Sequence, residues 1–344
     1  MVEVLFNRFL HRKHNIRGYA MRKLLLGTTA LAAAAAMNAN VALADVAISG
    51  YFEWDYSNVN SDIAANDGTA FGQDSEMKVV FTNKTDSGLT IAFQTEFETD
   101  KAGNGVSDDN FLSISGGFGK LVLGELDGVM DQYGIAATDL PAEEIYTGEP
   151  ADMVTENGDG GVSGGENNKI SYHIPAVGGL TAGVSYTNSG VAGDADATAY
   201  AARYTVDAGG AAITIGGGTG TLEVAGAQDA DTQNIGIKIA AGNASIVLSN
   251  ATYEDADQDE STNGVAASFK VSDAMTLVGY STKLEDDLAA SGEEYSVSGL
   301  EVQYTIASGL SAVINVEDYE YDTGSSGGTN DSGTASSLTL KASF

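Results

Sequence analysis

The side chains with chemistry to offer in this chain are overwhelmingly carboxylates. Glu143 and Glu144 are adjacent, Asp108 and Asp109 are adjacent, and "EDADQDE" fills 254–260. Crowded acids of this kind suit Ca²⁺, which takes about six to eight oxygen ligands, and they suit plain solvation equally well. The spacing of a helix–loop–helix calcium loop and the Gly-rich nonapeptide calcium repeat are both absent. Calcium at the acidic loops is therefore an expectation with the metal site unknown. Covalent catalysis is poorly provided for. There is no cysteine, and His173 is the one histidine after residue 14. Ser171 lies two residues away on the same face of an extended segment, but no oxyanion or orienting motif accompanies the pair. An enzyme is not expected.

The charge is unevenly placed. The chain has 344 residues and a formal net charge of −32. With six of its 16 basic residues and one of its 48 acids in residues 1–44, the remainder holds 10 basic against 47 acidic residues, a net of −37. Such a surface repels nucleic acid, so no nucleic-acid partner is expected.

The basic start has its own reading. "MRKLLLGTTALAAAAAMNANVALA" (21–44) places Arg22 and Lys23 before a short apolar run and ends in Ala42-Leu43-Ala44. That is the charged region, apolar region and small-residue cleavage site of a secretory signal peptide. Asn38 and Asn40 interrupt it, which argues against a membrane helix of about 20 apolar residues. Residues 1–20 read as an N-terminal extension ahead of a better initiator, Met21, and cleavage is expected near Ala44. No later segment is long and apolar enough for a membrane helix, so a chain that spans a membrane must do so as a closed barrel.

From Asp45 onward the apolar period is two. Val46, Ile48, Phe52, Trp54 and Tyr56 face one way, and Ser49, Glu53 and Asp55 the other. The chain ends in "SSLTLKASF", where Leu338, Leu340, Ala342 and Phe344 alternate with Thr339, Lys341 and Ser343. Short turns of small residues, such as "TDSGL" (85–89) and "IASGL" (306–310), take turns with longer acidic or Gly-rich stretches. The longer stretches are 58–74, 100–108, 127–168, 190–197, 226–232, 253–263, 285–293 and 320–335. Seven turns and eight loops join sixteen antiparallel strands, one end tight and the other elaborate. The alternation slips at Gly216–Gly220 and at Gly299, where a bulge or a misplaced strand end is expected.

An export signal, strictly alternating connection lengths and aromatic residues near apolar strand ends (Tyr51, Phe52, Trp54, Tyr56, Phe81, Tyr172, Tyr186, Tyr304, Phe344) place the apolar face outside in lipid. The polar face then lines a water-filled lumen. The expected fold is all-β: a sixteen-stranded antiparallel transmembrane β-barrel over 45–344, in which Lys78, Arg203, Lys238 and Lys270 are wall bases that steer permeants or pair with acids.

At this point the residues resemble a family. "NKISYHIPAVGGLTAGVSY" (168–186), "VVFTNKTDSGLTIAFQTEFE" (79–98) and "NFLSISGGFGKLVLGELDG" (110–128) are similar to segments of Gram-negative general porins, in particular the alphaproteobacterial, Rhodobacter-type ones. The resemblance implies a homotrimer in the outer-membrane lipid. It implies that the third long loop, 127–168, folds inward to narrow the pore, and that Phe344 helps the outer-membrane assembly machinery recognise the chain. It also makes Asp139, Glu143, Glu144 and Glu149 the acidic constriction, facing bases on the opposite wall. There the chain departs from the pattern: Glu76 stands where a second base beside Lys78 would be expected, and Arg203 is the one arginine after residue 22. The expected function is passive diffusion of small hydrophilic solutes and ions, with cations preferred. The alternative is a secreted or surface-attached, acidic, Ca-binding β-protein of adhesin type.

Overall fold

A computed structural model describes residues 31–32, 44–100, 107–142, 168–188, 196–223, 228–256, 258–287, 292–324 and 329–344. Sixteen antiparallel strands follow one another in chain order. They are β1 Asp45–Ser61, β2 Gly68–Lys84, β3 Thr90–Glu98, β4 Ser107–Gly116, β5 Gly119–Glu125, β6 Asn168–His173, β7 Leu180–Asn188 and β8 Asp196–Asp207. The second half comprises β9 Ala211–Glu223, β10 Ala230–Ala241, β11 Ala244–Glu254, β12 Asp259–Lys270, β13 Met275–Asp286, β14 Glu293–Ala307, β15 Leu310–Asp322 and β16 Asp331–Ser343. Each strand pairs with its neighbours, and β16 returns to β1 through Ser343↔Tyr51 to Gly333↔Ser61. The sheet is therefore a closed barrel without a free edge along that seam, which disposes of the open ladder an edge strand would present. The Phe344 amide completes the closure by donating to the Gly50 carbonyl at 2.9 Å. A two-residue stretch, Leu31–Ala32, pairs antiparallel with Ala47–Ile48; the expected extension (1–20) and, Ala44 apart, the rest of the expected signal peptide (21–44) lie outside the described residues.

Side chains alternate as the period-two pattern requires. On β10, Ala230, Thr232 and Asn234 are buried inside while Ile235 and Ile239 project outward, Ile235 59% exposed. On β16 and β1, Leu338 pairs with Tyr56 and Leu340 with Trp54 on the outer face, and Lys341 pairs with Glu53 on the inner one. Apolar outside and polar inside is the arrangement of a barrel whose outer solvent is hydrocarbon. Among the described residues no helix is long and apolar enough to cross a membrane.

All seven tight turns fall where the small residues place them. Gly309 of "IASGL", for example, takes a φ of 73° that a side chain would resist. Four expectations are corrected. The stretch 58–74 is mostly strand, since β1 runs to Ser61 and β2 starts at Gly68. Above the apolar band the outer face of β1 turns polar at Asn58 and Asn60, so the ladder continues where the alternation that reveals it has ended. Second, β9 runs through Gly216–Gly220 in unbroken register with both neighbours. Gly299 likewise keeps register, and the irregularities lie at Thr95/Phe97 and Thr305/Ala307. Third, Tyr51 is not part of the outer aromatic belt; it faces inward, where its hydroxyl donates to Asp74 at 2.9 Å. Fourth, the inner wall is not uniformly polar: Val59, Leu284, Tyr295, Val297, Tyr319 and Ala335 pack together on its inside.

Candidate functional site

The inner wall becomes a site through the segment that follows β5. Asp127–Ala142, the described part of the longest connection, holds a short helix α1, Val129–Tyr133, and a 3₁₀ turn, Ala137–Asp139. Gly128 and Gly134 bracket α1 and keep it to little more than a turn. Val129 and Met130, both fully buried, pack on Ala199 and Ala201 of β8. Ala137 packs on Ala266 of β12 and on Val278 and Tyr280 of β13. These strand residues point inward, so the segment lies along the inside of the wall from β7 to β14.

Glycines make the seat. A Cβ on Gly216 of β9 would lie 2.3 Å from the Tyr133 carbonyl oxygen, and one on Gly236 of β10 would lie 2.1 Å from that of Ile135. Gly183 of β7 lets Val129, Tyr133 and His173 crowd together in the same way. The glycine run that interrupts the alternation on β9 is thus a docking surface rather than a bulge.

Polar anchors hold the same segment at both ends. Lys169 donates to the Leu126 carbonyl at 2.5 Å, and the Tyr133 hydroxyl lies 2.8 Å from His173 Nδ1. Arg203 donates through Nε to the Tyr133 carbonyl at 3.2 Å and through Nη2 to that of Gly134. Burial pushes the Tyr133 phenol up, and the nearby Arg203 guanidinium opposes that shift. Further along, the Ala137 amide donates to Ser249 at 2.9 Å, and Gln303 donates to the Leu140 carbonyl at 3.1 Å. The Ala142 amide lies 2.9 and 3.0 Å from the two carboxylate oxygens of buried Glu301. Cations take the carbonyls at one end, and a carboxylate takes an N–H at the other.

The strands half a circumference away from this seat, β1–β4 with β16, are rich in carboxylates. Their inner face presents Glu53, Asp55, Asp74, Glu76, Glu96, Glu98 and Asp108. Two lysines stand among them. Lys78 is ion-paired with Glu96. Lys341 sits 3.3 Å from Glu53 and 4.1 Å above the centre of the Tyr51 ring. Asp74, Glu98 and Asp100 bring one carboxylate oxygen each within 4.8 Å of one another, as do Glu76, Glu96 and Asp108.

The expected site residues are sorted by this geometry. Asp139 is on the 3₁₀ turn, where its carboxylate accepts from the Ala136 amide at 3.3 Å. Glu143, Glu144 and Glu149 lie outside the described residues. Lys78 is on the inner wall and paired. Arg203 is spent on loop carbonyls, so it is an anchor rather than a free wall charge. Lys238 is on the inner face of β10 opposite Thr214. Lys270 lies at the tight-turn end, paired with Asp273 at 3.2 Å. At "EDADQDE", Asp255 accepts from Tyr253 at 2.8 Å and from the Gln258 amide at 2.9 Å. Those donors occupy oxygens a cation would need. Tyr133, Glu301, Gln303 and the seat glycines went unrecognised in the sequence, and the break in alternation at Gly216–Gly220 was the signal for them.

A sequence model of the Gram-negative porin family matches residues 27–343. The chain belongs to the Gram-negative porin family. It is an outer-membrane porin, which sets aside the secreted adhesin-like reading. Among solved structures, a loop-deletion mutant of OmpT, an outer-membrane protein of Vibrio cholerae, matches with a TM-score of 0.68 at 17% identity, covering 88% of this chain and 100% of that one. An anion-selective porin from Comamonas acidovorans matches with a TM-score of 0.64 at 18% identity, covering 88% and 100%. A mutant Rh. blastica porin matches at 0.60 and 15%, covering 87% and 100%. At these identities the likeness is one of fold. No curated protein sequence matches.

Proposed function

We propose that this porin is a passive, cation-preferring diffusion channel for small hydrophilic solutes, narrowed by the 127–168 loop. The observation that carries the reading is the carboxylate wall of β1–β4, which faces the docked segment across the barrel and has its lysines already paired. Charge lining a low-dielectric conduit focuses potential along it, raising the local concentration of cations and lowering that of anions. The loop seat supplies the sieve: a segment held to one wall takes its thickness out of the lumen. Glu143, Glu144 and Glu149, with Asp139, would add negative charge on that side. The fold by itself does not decide selectivity, since the Comamonas acidovorans porin of similar fold is described as anion-selective.

One matching form of Vibrio cholerae OmpT is described as a trimer, and we read this chain as a homotrimer in outer-membrane lipid. Strand β1 opens at Asp45, one residue after the expected cleavage at Ala44. The outward aromatic terminus, Phe344, 73% exposed, suits recognition by the assembly machinery. Calcium remains a proposal at the Asp74–Glu98–Asp100 group. The deciding measurement is the reversal potential of the protein in a planar bilayer under a KCl gradient. Cation selectivity supports the acidic wall; anion selectivity overturns it.

A further inference from the structure

We propose that His173 is a pH-sensitive latch: neutral, it holds α1 against the barrel wall, and protonated, it releases α1 into the lumen. The ring is 6% exposed on the inner face of β6. Its Nδ1 meets the Tyr133 hydroxyl, the rings lie 5.7 Å apart, and Nε2 has no hydrogen-bond partner. A neutral imidazole serves the tyrosine with one nitrogen, as donor or acceptor. Protonation turns both nitrogens into donors. With Nδ1 as the acceptor of the Tyr133 proton, protonation removes that acceptor, and a positive ring is confined where Nε2 finds no oxygen.

The surroundings do not offset that charge. From β5, Lys120 is the register partner of His173. On its own strand Lys169 reaches Leu126, and from β8 Arg203 reaches the Tyr133 carbonyl. On α1 the ionisable groups are Tyr133 and Asp131. The adjoining inner positions of β7, Thr181, Gly183 and Ser185, carry no ionisable side chain. Lys120 thus sets like charge beside the ring, and the one carboxylate on α1 is that of Asp131. Behind α1 the wall is full, because the spaces at Gly183, Gly216 and Gly236 are already occupied by loop atoms. Movement away from the wall can therefore only be inward, across the conduit. Acid narrows the channel.

The proposal rests on the channel reading above, and stable current at pH 7.5 tests that reading separately. Protein purified from outer membranes after expression of the full chain is recorded in planar bilayers from pH 7.5 to pH 4. Wild type should show discrete closures whose occupancy rises roughly fivefold or more on acidification. His173→Gln, whose amide can meet Tyr133 but does not titrate, should abolish that rise. Tyr133→Phe should show the closures already at pH 7.5. Folding of each variant is checked by heat-modifiable migration in detergent. Carboxylate protonation lowers current smoothly and equally in all three proteins, so the discrete closures carry the test. An unchanged acid response in His173→Gln overturns the latch, and so does a wild type that stays open to pH 4. If His173→Gln fails to fold, a Tyr133→Phe channel as quiet as wild type at pH 7.5 overturns it too.

Discussion

Replacing Gly236 with alanine is the sharpest perturbation of the loop seat. The added methyl would stand 2.1 Å from the Ile135 carbonyl oxygen and 2.8 Å from Ile135 Cβ. Ordinary contact begins near 3.4 Å, so the segment must retreat by roughly 1 Å or more. The strand cannot give way instead. Gly236 is paired to Gly216 on one side and Ser249 on the other, inside ladders in continuous register. Overpacking of this kind costs about 1–3 kcal/mol, which shifts the balance between seated and unseated loop by roughly 5- to 150-fold. Gly279→Ala is the matched control. It places the same methyl on the outer face of β13, where the nearest atom is the flexible Leu300 side-chain tip at 3.3 Å. Alanine also favours a strand more than glycine does, so both variants should fold and migrate as heat-modifiable species. Single-channel recording at neutral pH should show lowered conductance and added current noise for Gly236→Ala, and neither for Gly279→Ala. A Gly236→Ala channel indistinguishable from wild type would refute the seat.

Two further outcomes test the anchor and the wall. Glu301→Gln leaves the Ala142 amide a neutral acceptor in place of a carboxylate; charge-assisted bonds contribute about 1.5–3 kcal/mol against about 1 for neutral ones, so protease cleavage within 127–168 should speed up in intact barrels while the detergent melting of the barrel stays put. Lys78→Met removes the ion-pair partner of Glu96 and leaves that carboxylate's charge uncompensated beside the conduit; the reversal potential under a KCl gradient should move further toward the cation value, and a move toward zero would contradict the assignment of this wall.

How much was legible differs by residue. The seven turns and sixteen strands were readable because a half-buried strand writes its faces into alternate residues and a tight turn needs Gly, Asp or Ser at set places. The strand ends were not, since beyond the apolar band the outer face turns polar, as at Asn58 and Asn60 of β1. Parity put Lys78, Lys238 and Lys341 on the inner face, but not their partners.

What the sequence alone determined is the local grammar of the barrel: strand order, which face meets lipid, and which end is tight. Its terminal stripe, Leu338 to Phe344, needed only period two to declare a closing strand. The tertiary structure decided the site, because closing the ring joins residues no spacing rule connects. Tyr133 meets His173 across 40 positions, and Leu140 meets Gln303 across 163. Whether a wall glycine is a weak spot in a strand or the seat of a loop depends on what lies above it, and only the closed barrel brings the loop there.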